Sequence, residues 1–325
     1  MFCSTIIPTV NRPSLAGAVE SVLGQSLPGE DFEVIVVNDS GGPLSAADWQ
    51  RSERVRIINT QRRNRSVARN TGAAIAKGRY LHFLDDDDWL LPGAFEAFAQ
   101  LAHSSHAGWL YGGFQLADNT GNVLCEISPT EAGNCFVELV ASEWIPLQAS
   151  FIQVSAFFGA GGFASLESLL GGYEDIDLSR QIALYHDFAS TVATVTRIRV
   201  GDVGSTTNYS AMFKQNRMSR EKALATAASF SRMRASASAR PTGRGYWHGR
   251  IIYYYLASAW WNLWHRRPLA AASRGVHGLA GLAAATWALA SPDFWHGLMA
   301  PHRNRVWTAL EESNAHPYGT VIWEE

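Results

Sequence analysis

Apolar runs and helical stripes take turns along the first two hundred residues. CSTIIP (residues 3–8) and FEVIVVND (32–39) are short, β-branched runs closed by Pro, Asn or Asp. They read as parallel strands buried on both faces. Between them, SLAGAVESVLGQ sets Leu15, Val19, Val22 and Leu23 at helical spacing behind Pro13. RVRIIN predicts a third strand, SVARNTGAAIA a helix ending near Gly78, and RYLHFL a fourth strand. Strand and helix alternate, which predicts an α/β sheet with right-handed crossovers. Further on, HAGWLYGGFQL and ASTVATVTRIRV read as strands, with EDIDLSRQIALY as a helix between them. Past about Gly204 the strand signal fades. Helical stretches rich in Ala, Arg, Tyr and Trp follow, without a repeat of fixed period.

Composition bounds this picture. The chain has 325 residues, 47% hydrophobic and 17% charged. It can bury a sizeable core as one large domain or as a domain with an appendage. Cys3, Cys125 and Cys135 form no CxxC pair and no even set, which predicts reduced thiols in a cytoplasmic protein. The start, MFCSTIIPTVNRP, lacks a basic leader and is interrupted by Pro8, so no signal peptide is expected. The longest uncharged apolar stretch, GVHGLAGLAAATWALAS (275–291), is rich in Ala and Gly and slightly short for a membrane span. It predicts a buried helix.

Charge is distributed unevenly. The net charge is −2, yet residues 197–274 hold fourteen Lys and Arg against Asp202 and Glu221. The remainder is acidic, so the C-terminal third differs electrostatically from the body. Its segment NYSAMFKQNRMSREKA (208–223) admits two readings. It is a mobile loop bringing Lys214, Arg217 or Arg220 to a diphosphate, or, with slightly more weight, a solvated helix face. GRIIYYYLASAWWNLWHRRP (249–268) suits a helix packed on the body or resting on a membrane surface. Basic and aromatic residues together are compatible with nucleic acid, but no recognised nucleic-acid module is present.

The chemistry gathers at strand ends. No G-x-G-x-x-G follows the first strand and no G-x-x-x-x-G-K-[ST] occurs, so dinucleotide and P-loop sites lose their support. In open α/β sheets, ligands bind beyond the carboxyl ends of the strands. Those ends are Thr9, Asp39 and the run Asp85, Asp86, Asp87, Asp88 in HFLDDDDWLLP. Four adjacent carboxylates raise one another's cost of ionisation, which argues for a cationic occupant. Mn²⁺ and Mg²⁺ take such oxygen ligands together with substrate phosphates. Alternation places Asp85 and Asp87 on one side, while Asp88 is available to cap the helix announced by Pro92. The plain alternative is an acidic loop that only caps helices. Alone, Thr9 is compatible with a simple strand end and Asp39 with an Asx turn. Arg69 is equally placed to pair along its helix, and Glu174 and Asp175 to sit as first-turn acids.

STIIPTVNRP, EVIVVNDSGG, RNRSVARNTGAAIAKGRYLHFLDDDDW and GGYEDIDLSRQIA, in this order, resemble glycosyltransferase family 2 over about residues 3–205. The resemblance implies a GT-A-like Rossmann-type sheet with flanking helices over 1–205, followed by a helical C-terminal region over 206–325. It implies an inverting, metal-dependent transferase that moves one sugar from a nucleotide-diphosphate sugar, with a lean to UDP, to an acceptor hydroxyl. The acceptor would be a saccharide or a lipid-linked glycan, as in cell-envelope polysaccharide synthesis. By position, Thr9, Asp39, Arg69, Asp85 and Asp86 match donor-binding residues, and Asp85 and Asp87 match the Asp-x-Asp motif that holds Mn²⁺ or Mg²⁺. Asp87 is the better direct ligand. Asp175 matches the catalytic base, with Glu174 as its neighbour; Asp88, Lys214 and Arg217 are secondary candidates. Two departures stand out. RVGDVGSTTNYS (199–210) lacks the His that the family often adds to the metal site, and no Q-x-x-R-W motif or flanking set of spans accompanies it. The second points to single-sugar transfer and not to processive synthesis. Competing classes are a non-catalytic nucleotide-sugar binder and a nucleotidyltransferase on a related fold. The expected location is cytoplasmic, with peripheral contact at the inner membrane face through the basic aromatic region.

Overall fold

The computed structural model describes residues 1–27, 29, 31–129, 131–141, 144–164, 174–200, 209–238, 245–299 and 309–310. In chain order the first part contains β1 (Cys3–Thr9), α1 (Leu15–Leu23), β2 (Phe32–Asn38), β3 (Val55–Asn59), α2 (Arg65–Ile75) and β4 (Tyr80–Phe83). There follow β5 (Trp89–Leu90), α3 (Ala94–Ser104), β6 (Trp109–Ala117), β7 (Val123–Ile127), α4 (Phe136–Val140) and β8 (Ser150–Gln153). The series continues with α5 (Val154–Gly159), α6 (Glu174–Ala183) and β9 (Phe188–Arg199). The helices α7 (Tyr209–Ala225), α8 (Ala227–Ser238), α9 (Gly245–Trp264), α10 (Pro268–Ala284) and α11 (Pro292–Met299) come last.

The strands form one sheet in the order β3-β2-β1-β4-β8-β6-β9-β5, with β7 paired to the outside of this path on β6. Strands β1 to β4 run parallel, with Thr9 opposite Asn38 and Ile6 opposite Phe83. Their ends therefore open on one edge. β1 and β2 are buried at every position, because each face is covered. Ile6, Ile35, Val37, Leu81 and Phe83 enter one core, while Cys3, Ile7, Val34, Val36 and Tyr80 enter the other. The period of two along a strand sorts neighbours to opposite faces. Gly78 is required where the chain turns into β4, since a Cβ there would stand 2.4 Å from the backbone of Cys3 and Ser4.

The sheet is mixed, not wholly parallel. β8 inserts antiparallel between β4 and β6, and β5 and β7 pair antiparallel at the far side. Strand β6 is again parallel to β9. The C-terminal helices share the first core: Trp247, Ile251 and Tyr255 are buried in one cluster with Val137, Leu139 and Val140. A boundary at 205/206 falls outside the described residues. The stretch 275–291 differs from the expected buried helix. It divides between α10 and the turn after it, and Val276 and Leu279 face outward while Gly278 and Gly281 face inward. Gly and Ala at the contact let α10 approach α9 and α8 closely, so one side suffices for packing. Among the described residues, no helix is long and apolar enough to cross a membrane.

Candidate active site

Beyond β4, Leu84 continues the ladder by bonding Ile6 O at 3.1 Å, and residues 85–88 then turn, closed by Asp88 N–H to Asp85 O at 3.1 Å. Alternation survives in this turn: Asp86 and Asp88 are buried, whereas Asp85 and Asp87 are half-buried. The two buried carboxylates have structural partners. Asp86 accepts from the Thr9 hydroxyl at 2.5 Å and from Arg12 at 3.0 Å. Asp88 accepts from the Arg199 backbone N–H at 2.8 Å. It ties the turn to β9 and does not cap α3, whose N-cap is Gly93 in the left-handed region without a side-chain bond. The free backbone geometry of Gly replaces the acidic cap expected from the sequence.

The outward pair is held differently. Arg69 donates to Asp85 Oδ1 at 2.6 Å and to Glu174 Oε1 at 2.9 Å. The Gln148 amide occupies the other oxygen of Asp85 at 3.0 Å. Asp87 Oδ2 accepts from Arg12 at 2.9 Å, so one guanidinium nitrogen bridges Asp86 and Asp87. These contacts sort the carboxyls electrostatically. Burial works against ionised Asp85, but Arg69 overrides it and holds the group below its usual range. Burial and the neighbouring Asp85 push Asp87 up. Asp88 is raised furthest, by burial and then by Asp85 and Asp87. Asp86 rises through burial, despite Thr9 and Arg12.

The second wall comes from α2 and α6. Asn64 caps α2 by accepting from Val67 N–H at 3.1 Å. Arg65 at the first helical position opposes the macrodipole, and its placement is explained by Glu174, which it binds together with Arg69. Burial disfavours the charge on Arg69, yet Asp85 and Glu174 keep it firmly protonated. Asp175 follows Glu174 at the start of α6. It accepts from the Trp144 indole N–H at 3.3 Å and from Ile176 N–H at 2.8 Å. Burial, and next the charge of Glu174, raise its pKa. A carboxyl so poised is a better proton acceptor than an ordinary Asp.

Asp39 is buried and accepts from Thr60 at 2.8 Å, Arg62 N–H at 2.8 Å and Asn64 N–H at 2.6 Å. It thereby shapes the loop that delivers α2. The Asx turn in NDSGG belongs to Asn38, which accepts from the N–H and the hydroxyl of Ser40. The structure thus gathers Thr9, Asp86 and Asp87 with Arg12, and Asp85 and Glu174 with Arg69, and sets Asp175 next to Glu174 at the start of α6. Lys214 and Arg217 lie exposed on helix α7 and not on a loop. Arg220 stacks over Tyr254 at 3.5 Å and donates to Val140 O, a packing role. The segment 199–210, where no His occurs, lies from 201 to 208 outside the described residues.

Arg12, Arg65, Trp144 and Gln148 join the site without having been singled out from sequence. Arg12 sits inside the TVNRP motif, and Arg65 is one turn before Arg69; both were visible as basic neighbours of a predicted acidic site. Gln148 is aligned by His82, whose ring meets Gln148 O and the Thr5 hydroxyl, each at 3.1 Å. Burial lowers His82 to about 4, so it stays neutral.

The acidic turn carries oxygen donors of the kind that divalent cations take. Three guanidiniums (Arg12, Arg65 and Arg69) pair with Asp85, Asp86, Asp87 and Glu174, whereas Asp88 and Asp175 enter no ion pair among the described residues. No group of three His, Cys, Asp or Glu closes around a metal position among the described residues.

Comparison with known proteins agrees with this geometry. Residues 4–123 match the family model described as Glycosyl transferase family 2. The uncharacterised glycosyltransferase EpsJ of Bacillus subtilis (strain 168) is 33% identical over 107 residues, covering 31% of this chain and 30% of that protein. Poly(ribitol-phosphate) beta-N-acetylglucosaminyltransferase TarP of Staphylococcus aureus (strain N315) is 35% identical over 99 residues, 29% of this chain and 30% of that protein. The chain spans half or less of the length of the curated relatives it matches. The crystal structure of S. aureus TarS 1-349 in complex with UDP-GlcNAc superposes with a TM-score of 0.54 at 14% identity, over 88% of this chain and 91% of that one. That likeness is one of fold. Residues 4–123 thus carry the match to glycosyltransferase family 2, and the order of strands with the acidic turn at their ends is similar to that family's pattern.

Proposed function

We propose that this chain is an inverting glycosyltransferase that moves a single sugar from a nucleotide-diphosphate sugar to an acceptor hydroxyl. The observation that carries the reading is the pairing of a poised carboxyl, Asp175, with an acidic turn whose Asp85 and Asp87 face outward beside it, joined through Arg69 and Glu174. The uridine lean gains support from the TarS complex with UDP-GlcNAc, and TarP is named as an N-acetylglucosaminyltransferase. UDP-GlcNAc is therefore the first donor to test. A saccharide, lipid-linked or polyol-phosphate hydroxyl is the acceptor class.

In this reading Asp175 takes the proton of the acceptor hydroxyl as its oxygen attacks the anomeric carbon. The bond from that carbon to the diphosphate oxygen breaks on the opposite face, and the nucleoside diphosphate leaves with the electron pair. Thr9 and Asp39 line the base and ribose end, and Arg69 and Arg12 supply positive charge beside the leaving group. Mn²⁺ or Mg²⁺, held by Asp87 and Asp85 with the donor phosphates, would neutralise charge on the departing oxygens. Trp144 orients Asp175 through its N–H.

Asp175→Asn preserves shape and removes proton acceptance. Transfer should fall by about two to four orders of magnitude, while UDP-GlcNAc with Mn²⁺ still raises the melting temperature by mass action. Near wild-type turnover in Asp175→Asn, with the fold intact, overturns the assignment. A pyrophosphate product in place of a nucleoside diphosphate would mark nucleotidyl transfer instead.

A further inference from the structure

Helices α9 and α10 run back along one another from a short connection at 265–267. At their contact, a Cβ on Gly278 would stand 3.1 Å from Leu256. Helix α9 buries Ile251, Tyr255, Ser258 and Asn262 on one stripe. On the opposite side it presents Trp260, Leu263 and Trp264, the two indoles 67% and 76% exposed. Helix α10 buries Ala271, Arg274, Gly278 and Gly281 and turns Leu269, Val276 and Leu279 outward, with Leu269 88% exposed. A helix normally hides its large apolar side chains. Here two adjacent helices each carry an outward apolar stripe, and large exposed apolar patches mark interaction surfaces.

The charge around this surface narrows the occupant. From 222 to 292 the sequence contains nine Lys or Arg and no Asp or Glu; Lys222, Arg232 and Arg274 pair with Asp177, Asp187 and Glu221 and Arg250 is buried, so the cations relevant to this surface are those at the hairpin tip. At the hairpin tip His265, Arg266 and Arg267 are all exposed, directly between Trp264 and Leu269. The sequence outside 222–292 is strongly acidic, since the whole chain nets −2. A second copy would set this acid-free tip against another like itself, with no carboxylate for its arginines. An anionic bilayer supplies both halves of the complement: headgroup phosphates for the arginines, and an interface where indole rings keep one end apolar and one wet. No described helix is apolar enough to span, so the element would lie in the surface.

We infer that the α9–α10 hairpin docks the protein on an anionic lipid surface through Trp260, Trp264, Leu269 and the arginine pair at its tip. This inference does not rest on the transfer reaction, and its test is read without turnover. The full chain is sedimented with phosphatidylglycerol-containing vesicles and with neutral phosphatidylcholine vesicles, at low and at high salt. Binding is expected to the anionic vesicles at low salt and to weaken strongly with salt or without anionic lipid. Arg266→Ser with Arg267→Ser should weaken it roughly fivefold per arginine. Trp260→Ser with Trp264→Ser should weaken it about tenfold or more, from the apolar area removed. Both double variants should keep the wild-type melting temperature and its shift with UDP-GlcNAc and Mn²⁺, since these side chains are solvent-exposed. No sedimentation with anionic vesicles at low salt overturns the inference. So does binding that the tryptophan variant leaves unchanged, or a lipid-free dimer that the same variant dissolves while vesicles recruit nothing.

Discussion

Replacing Arg69 by Met keeps the aliphatic stem and deletes a guanidinium that is buried between two carboxylates, 2.6 Å from Asp85 and 2.9 Å from Glu174. Breaking a buried pair by removing one partner costs about 3–5 kcal/mol, because the remaining charge is left uncompensated. Two features place this case at the low end. Glu174 keeps Arg65, and Asp85 keeps Gln148 and is a third exposed. A loss of about 3 kcal/mol, divided by a urea slope of about 3 kcal/mol/M, moves the unfolding midpoint down by about 1 M.

The pH dependence gives this prediction a second edge. Asp85 has its folded pKa held below the unfolded value, so the pair stabilises fully above the ordinary carboxylate range. That stabilisation is lost as pH falls through the folded value. The deficit of Arg69→Met should therefore be complete at neutral pH and shrink in acid. Arg69→Lys, a point charge without the fork, should recover only part of it. Urea titrations monitored by circular dichroism at neutral pH and at pH values stepped down through and below the ordinary carboxylate range read both effects. An unchanged midpoint, or a deficit that persists undiminished in acid, refutes the view that Arg69 is the electrostatic link between the acidic turn and α6.

Asp88 tests the other sign. Its folded pKa is raised, so the penalty for its charge appears as pH climbs. Asp88→Asn, which keeps an acceptor for Arg199 N–H, should stabilise the protein at neutral pH by an amount that fades in acid, as read by thermal melts across pH. Glu174→Gln should shift the acid limb of the kcat/KM profile to lower pH, because the charge that raises Asp175 is gone. A Glu174→Gln enzyme as inactive as expected for Asp175→Asn would instead move the base by one residue.

What was legible in the sequence follows from burial. β1, β2 and β4 are buried at every position, and full burial writes a plain apolar run. β5 is two residues long, β7 is largely solvent-facing, and β8 contributes only four residues. None of these writes a periodic signal, so the antiparallel insertion between β4 and β6 was not anticipated. The site shows the same split. Thr9, Asp39 and residues 85–88 stand where strands end, a position that pattern reveals. Gln148 and Trp144 arrive from a segment with no such marker, and only folding brings them to Asp85 and Asp175. The apolar stretch 275–291 misled for a different reason: hydropathy records that a side chain prefers to be covered, not that this chain covers it.

The division of labour among the carboxylates follows from their partners. Asp86 and Asp88 are buried and committed to Thr9, Arg12 and the Arg199 backbone, so they hold the shape of the turn. Asp85 accepts from Arg69 and Gln148 and has its pKa lowered, which keeps it ionised. Asp87 and Asp175 differ: each is half-buried, each has a raised pKa, and neither is paired to a buried guanidinium. Raised carboxyls are the ones that gain most from a new positive partner or from a proton. Asp87, tethered only to the half-exposed Arg12, is therefore the group free to turn toward a cation and a diphosphate. Asp175, held by neutral N–H donors, is free to accept a proton. Arg69 joins Asp85 of the acidic turn to Glu174 at the start of α6, so in the proposed reaction a change at either side should be felt at the other.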